Sequence, residues 1–248
     1  MMMPTSILFL PGTGLSEEFY SPLLALLGRH GGVLSFRYRH QESMVEACRR
    51  LAGSADLFET LRSEVCYGPK PQTVSELGLK PSDGISTWYE QHGGLEGESA
   101  ESLWRRTIVV GHSQGAGHAL MISQNRSLAG ALMIAGPADS LHGTLAPWTQ
   151  RSFQTPTQKR LLMVHKQDAG YRPVAAHAEA SGLRRWDLLG EPPSEIGGLA
   201  LVDTEPMPAF AAHGCLAGAQ TWAATPKRQA LFRQLLVRAF ELWQRPVD

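Results

Sequence analysis

Thr107-Ile108-Val109-Val110-Gly111-His112-Ser113-Gln114-Gly115-Ala116-Gly117 is the stretch on which the fold turns. Thr107–Val110 is a short apolar run rich in β-branched residues, the composition of a strand. Gly111 to Gly115 spells a Gly-x-Ser-x-Gly turn, and the residues after it read as a helix. A serine hydroxyl is a poor nucleophile unless it is exposed, aligned with a base and placed near donors for a developing oxyanion. A strand–turn–helix setting supplies the exposure and one such donor. Glycines two residues either side of Ser113 leave room for a sharp turn.

Outward from this turn, strand and helix patterns alternate. Ser6–Leu10 is an apolar run ending at Pro11-Gly12-Thr13-Gly14, a strand entering a glycine-rich loop. Ser16 with Glu17 and Glu18 opens a helix that runs to Leu27. Val33–Tyr38, Ala131–Ala135, Leu161–His165 and Leu199–Asp203 read as further strands. Met44–Leu51, Ala55–Val65, Gln114–Gln124 and Pro173–Leu189 read as helices. The last helix has Thr225 as N-cap, Pro226 at its first position, and Phe232, Leu235, Leu236, Ala239, Phe240 and Trp243 on one face. The pattern predicts an α/β fold: one mostly parallel central sheet of about six strands with helices on both faces.

Composition narrows the partners. The 248 residues suit one domain, and a hydrophobic fraction of 43% with 19% charged is that of a globular chain with a substantial core. Lys and Arg total 23 and so do Asp and Glu, so no basic field draws the chain to nucleic acid or anionic lipid. No apolar stretch approaches a membrane span, and the N-terminus lacks the basic start of a signal peptide. Cys48, Cys66 and Cys215 lie far apart, which argues against a disulfide framework and for a reducing, cytoplasmic setting. Oligomeric state does not follow from these residues.

The region from His40 to Arg106 is longer than a single crossover helix needs. Its middle, Tyr67 to Gly97, is rich in Gly, Pro and polar residues and carries Trp88 and Tyr89. A loop of this length is commonly functional. It either covers the mouth of a site or packs along an edge of the sheet.

Ligands of open parallel sheets bind beyond the carboxyl ends of the strands. After the first strand come Gly12-Thr13-Gly14, whose backbone N–H groups suit an oxyanion. After the fifth comes Asp168, and after the sixth comes His213. Serine, carboxylate and imidazole thus follow in the order Ser113, Asp168, His213. Asp139, which follows the fourth strand, is the alternative acid. His112 and His118 flank the serine and read as packing beside the elbow or along its helix, and their spacing is not that of a zinc pair. His165 reads as a structural strand-end residue, and Cys215 as a partly buried thiol.

The chain resembles the α/β-hydrolase superfamily, in which nucleophile, acid and histidine follow in this order with the nucleophile on an elbow after a central strand. The string Gly111-His112-Ser113-Gln114-Gly115-Ala116-Gly117-His118-Ala119 also resembles a poorly characterised bacterial branch of it. The likeness runs from Ser6 to the final helix. Three features depart from the family pattern. The first strand matches the family's third, Pro11 stands where a histidine is common, and the interval from Ala135 to Leu161 is too short for a large helical cap.

The resemblance implies a minimal α/β-hydrolase domain over residues 1–248 that acts as a serine hydrolase on esters or thioesters of small or medium acyl groups, with no metal or organic cofactor. Ser113 would attack the acyl carbonyl, His213 would take its proton and Asp168 would orient His213. The N–H groups of Gln114 and Thr13 would hold the oxyanion. Trp88, Tyr89, Leu141, Leu145 and Trp148 are expected as apolar walls of the acyl site. Two alternatives stand beside this: an acyl thioesterase specifically, or a ligand-binding protein that has kept the cleft without the chemistry.

Overall fold

The computed structural model describes residues 5–12, 15–37, 81–136, 153–168, 175, 185–187, 197–202, 209–214, 217–218 and 226–244. The expected helices Met44–Leu51 and Ala55–Val65, and the cap residue Thr225, lie outside them.

Seven strands form one sheet: β1 (Ser6–Leu10), β2 (Gly32–Ser35), β3 (Thr107–His112), β4 (Gly130–Ile134), β5 (Arg160–His165), β6 (Arg185–Asp187) and β7 (Gly198–Val202). Their spatial order is β2-β1-β3-β4-β5-β7-β6, and every neighbouring pair is parallel. Parallel strands buried on both faces need continuous apolar runs, and β1, β3, β4 and β5 are buried along their whole length. The helices are α1 (Glu17–Leu27), α2 (Pro81–His92), α3 (Ala100–Arg105), α4 (Gln114–Asn125), α5 (Ala209–Gly214) and α6 (Pro226–Trp243).

Successive strand residues point to opposite faces, and this divides the core in two. Ile7, Phe9, Ile108, Val110, Leu132, Ile134, Leu161 and Met163 pack with Tyr20, Leu23 and Leu27 of α1 and with Phe232, Leu236, Phe240 and Trp243 of α6. Leu8, Leu10, Val109, Met133, Leu162 and Val164 pack with Ile85 and Tyr89 of α2, Leu103 and Trp104 of α3, and Ala116, Ala119 and Leu120 of α4. A buried Leu or Ile contributes about 1.5–3 kcal/mol. An exposed pair such as Arg105–Glu101 contributes about 0–1 kcal/mol. Packing on the two faces therefore sets where each element lies.

Two expectations are corrected here. The helix expected over Pro173–Leu189 does not run its full length, because Arg185–Asp187 is the edge strand β6, paired to β7. The segment Tyr67 to Gly97 is not one loop, because Pro81–His92 is helical and packs against the sheet. Residues 67–80 of that segment are outside the described residues.

Glu98 holds the α2–α3 turn to the start of β3. Arg106 Nε donates to its Oε1 at 2.7 Å and Nη2 to its Oε2 at 2.6 Å, while Leu95 N–H and the Ser102 hydroxyl donate to the same carboxylate. The side chains are only 12% and 3% exposed. The Arg106 hydrogen bonds outweigh burial and hold the Glu98 carboxyl at about 2, against an ordinary 4.5. Because the folded value lies below the unfolded one, this stabilisation is complete above pH 4.5 and is lost as pH falls from there towards 2. Glu98→Ala leaves Arg106 without this partner and is expected to cost on the order of 3 kcal/mol at neutral pH. Denaturant melts at pH 7 and pH 3 check this: the gap between wild type and variant should shrink at the lower pH.

Candidate active site

The order of the sheet decides where a site can form. From β1 the chain goes one way to β2, and from β3 it goes the other way to β4 and β5. The carboxyl ends of β1 and β3 therefore flank the point where the winding reverses, which is where open α/β sheets bind ligands. Gly12 lies two residues beyond the end of one of these strands and Ser113 directly beyond the end of the other.

Ser113 has φ 54° and ψ −117°, a conformation that L-residues rarely adopt. It sits between the end of β3 and the first turn of α4, with its N–H donating to Ile134 O at 2.9 Å. The glycines beside it are required by space. A Cβ on Gly111 would run into the backbone of Gly115, and one on Gly115 into the carbonyl of Leu10. Ser113 is partly exposed while His112 before it is fully buried. Gln114 opens α4, so its N–H lies where the helix dipole is positive.

Asp168 follows β5 in a turn closed by its own N–H on His165 O at 2.9 Å, and the His165 ring accepts from Gln167 N–H at 3.1 Å. His213 comes from the short helix α5 after β7. These two residues, 45 positions apart, meet: His213 Nδ1 lies 2.9 Å from Asp168 Oδ2 and 3.1 Å from Oδ1. A carboxylate only accepts, so Nδ1 carries the proton and, in the neutral ring, Nε2 is left as the base. The Asp168 side chain has no exposure and that of His213 is 20% exposed.

The buried His112 joins these parts. Its ring lies 5.0 Å from that of His213, its Nε2 is 2.9 Å from the His213 carbonyl oxygen, and its Nδ1 is 2.9 Å from the Tyr20 hydroxyl. Burial, followed by the charge of a protonated His213, holds the ring's pKa down at about 3. Gly12 closes against the same group, since a Cβ built on it would lie 3.1 Å from Ser113 Cβ and 3.0 Å from His112 Nδ1. The Phe19 ring lies 6.2 Å from that of His112, and a Cβ at Gly218 would strike it. Among the described residues no cluster of His, Cys, Asp and Glu has the make-up of a metal site.

The other expected residues fare differently. Thr13, Asp139, Leu141, Leu145 and Trp148 lie outside the described residues. Tyr89 is corrected from site wall to core: it has no exposure, and its hydroxyl donates to Ser6 Oγ at 2.6 Å and lies 3.0 Å from Thr107 Oγ1. Ser6 and Thr107 begin β1 and β3, so Tyr89 sits at the end of the sheet away from Ser113. Trp88 packs edge-on against Phe36 beside β2 and stacks on His92 of its own helix. Tyr20 was not foreseen as part of the site. A tyrosine on the buried face of an amphipathic helix needs a partner for its hydroxyl, and that is the signal that marks it.

A parallel sheet flanked by helices on both faces, with a strained serine turn at the end of β3, is the α/β-hydrolase fold. The chain aligns over 98% of its length with 88% of a candidate dienelactone hydrolase from Klebsiella pneumoniae at a TM-score of 0.53 and 17% identity. It aligns over 97% of its length with 82% of an esterase from Pyrococcus furiosus at a TM-score of 0.51 and 14% identity. At these identities the likeness is one of fold. No protein-family model matches the chain, and no curated protein matches it in sequence. No helix among the described residues is long and apolar enough to cross a membrane.

Proposed function

We propose that this chain is a serine hydrolase that cleaves carboxylic esters or thioesters of small or medium acyl groups through an acyl-enzyme at Ser113. The observation that carries the reading is the 2.9 Å contact of His213 Nδ1 with the buried Asp168 carboxylate, taken with a serine held at φ 54° directly after the His112 that bonds the His213 carbonyl. A bond from that side of the ring fixes the tautomer whose Nε2 accepts a proton. His213 takes the Ser113 proton as the hydroxyl oxygen attacks the acyl carbonyl, and Asp168 stabilises the imidazolium that forms. The tetrahedral oxyanion is held by the N–H of Gln114 and by one from the loop after β1. Gly12 N–H donates to Tyr20, so the second donor is assigned to Thr13. His213 returns its proton to the leaving alcohol or thiol. Water activated by the same ring then releases the acid.

The fold supports this reading, since both neighbours above carry hydrolase or esterase names. A fluorophosphonate probe tests it directly, because such a probe phosphonylates only an activated serine. Stoichiometric labelling at Ser113, with turnover of short-chain p-nitrophenyl esters, is the expected result. If neither occurs, the chain is a binding protein on this fold. Matched acyl esters and thioesters then separate oxygen from sulfur leaving groups.

A further inference from the structure

We propose that Tyr20 and His112 form a hydrogen-bonded relay that positions Gly12, two residues after β1, and the backbone of His213 beside the turn that carries Ser113. This rests on the serine-hydrolase reading above. Three contacts make the relay: Gly12 N–H to Tyr20 Oη at 2.7 Å, Tyr20 Oη to His112 Nδ1 at 2.9 Å, and His112 Nε2 to the His213 carbonyl oxygen at 2.9 Å.

The two ends fix every direction within it. A carbonyl can only accept, so His112 carries its proton on Nε2. The neutral ring then accepts at Nδ1, and Tyr20 donates its hydroxyl proton there. The phenol oxygen in turn accepts from Gly12, whose amide can only donate. Burial holds the His112 pKa at about 3, so the ring keeps this neutral tautomer throughout the neutral pH range. It therefore places no second cation 5.0 Å from the imidazolium that His213 becomes during turnover.

The relay does more than satisfy buried polar atoms, because its ends are Gly12, packed against Ser113, and His213, the proposed base. His213 is held twice, through its side chain by Asp168 and through its carbonyl by His112. With both anchors the ring has a defined place relative to His112, which directly precedes Ser113 in the chain. At the other end, the Gly12 amide is held on Tyr20, and that keeps Gly12 against the serine, where a Cβ built on it would lie 3.1 Å from Ser113 Cβ. Misplacing a reacting group by about 1 Å costs on the order of 10²-fold in rate.

The test uses Tyr20→Phe, His112→Phe and His112→Gln in the full chain, with kcat, KM, melting temperature and the rate of fluorophosphonate labelling measured for each. Tyr20→Phe removes one hydroxyl and should lower kcat and the labelling rate by about 10-fold, with KM within about twofold. His112→Phe should lower kcat by on the order of 10²-fold. The glutamine amide can donate from near the place of Nε2, so His112→Gln should recover most of that loss. A purely structural role predicts a change in melting temperature with kcat intact. A folded Tyr20→Phe whose kcat and labelling rate match wild type overturns the relay, whatever its melting temperature. If His112→Phe does not fold, Tyr20→Phe and His112→Gln decide by the same measures. Failure of the hydrolase reading looks different, because wild type itself then does not label. In that event the nitrogen-15 signature of His112 decides: protonation at Nε2 with Nδ1 bare supports the relay, and the reverse overturns it.

Discussion

Ser113→Ala is expected to abolish fluorophosphonate labelling and to lower ester turnover by on the order of 10⁴–10⁶-fold, the effect of deleting a nucleophile from a triad that acts as a unit. The fold should survive, because alanine keeps the Cβ that already fits the turn. Ser113→Gly should be equally inactive but should differ in stability. The φ of 54° and ψ of −117° cost any residue with a Cβ about 1–3 kcal/mol. Glycine escapes that cost and loses about 0.4–1 kcal/mol through the extra freedom of its unfolded chain. The glycine variant should therefore melt above the alanine variant. The comparison separates the two demands on this position, since the strain belongs to the turn and the activity to the hydroxyl. Turnover that persists in Ser113→Ala would remove the serine from the mechanism.

Asp168→Asn is expected to lower kcat by on the order of 10⁴-fold with KM little changed. The substitution is nearly isosteric at a side chain with no exposure, so packing is preserved and only the hydrogen-bond roles change. A carboxylate accepts from His213 Nδ1–H; an asparagine that turns its NH₂ to the same nitrogen favours the tautomer with the proton on Nε2. A ring in that state cannot accept the serine proton. The competing acid from the sequence is Asp139, and Asp139→Asn should stay within about threefold of wild type. The opposite pattern, with Asp139→Asn inactive and Asp168→Asn active, would move the acid to the end of β4. Steady-state kinetics on one p-nitrophenyl ester with both variants decides the matter.

The strands at the centre of the sheet are legible because they are buried on both faces and so carry unbroken apolar runs, as in Ser6–Leu10 and Thr107–Val110. At the margins the reading fails for physical reasons. The strand Arg185-Trp186-Asp187 is three residues long at the sheet edge, and pairing with β7 outweighs a local pattern that reads as helix. Helix α2 begins Pro81-Ser82-Asp83-Gly84, which reads as a turn, and its buried face is carried by Ile85 and Tyr89 with Trp88 partly buried beside them. Ser113 and Asp168 could be singled out because each follows closely on a strand, and His213 because it comes after the last strand in the order serine, acid, histidine. The part played by Tyr20 could not be read so. It meets His112 across 92 residues of sequence, and that meeting depends on β1 pairing with β3 while α1 packs over both.

The helix that carries Ser113 is buried almost throughout, with Gly115, Ala116, Gly117, His118, Ala119, Leu120, Ile122, Ser123 and Gln124 all inside. Small side chains at its start let it lie close on β1 and β3, at the middle of the sheet. His213, by contrast, rides on a six-residue helix that follows β7, one strand from the sheet's edge. Local openings start where few buried contacts must be given up. Under mild stress the base should therefore part from the site while the serine is still seated on its turn. On the serine-hydrolase reading proposed above, the chain would then pass through a near-native form that has the nucleophile and lacks the means to activate it, and activity is expected to be lost before the fold is.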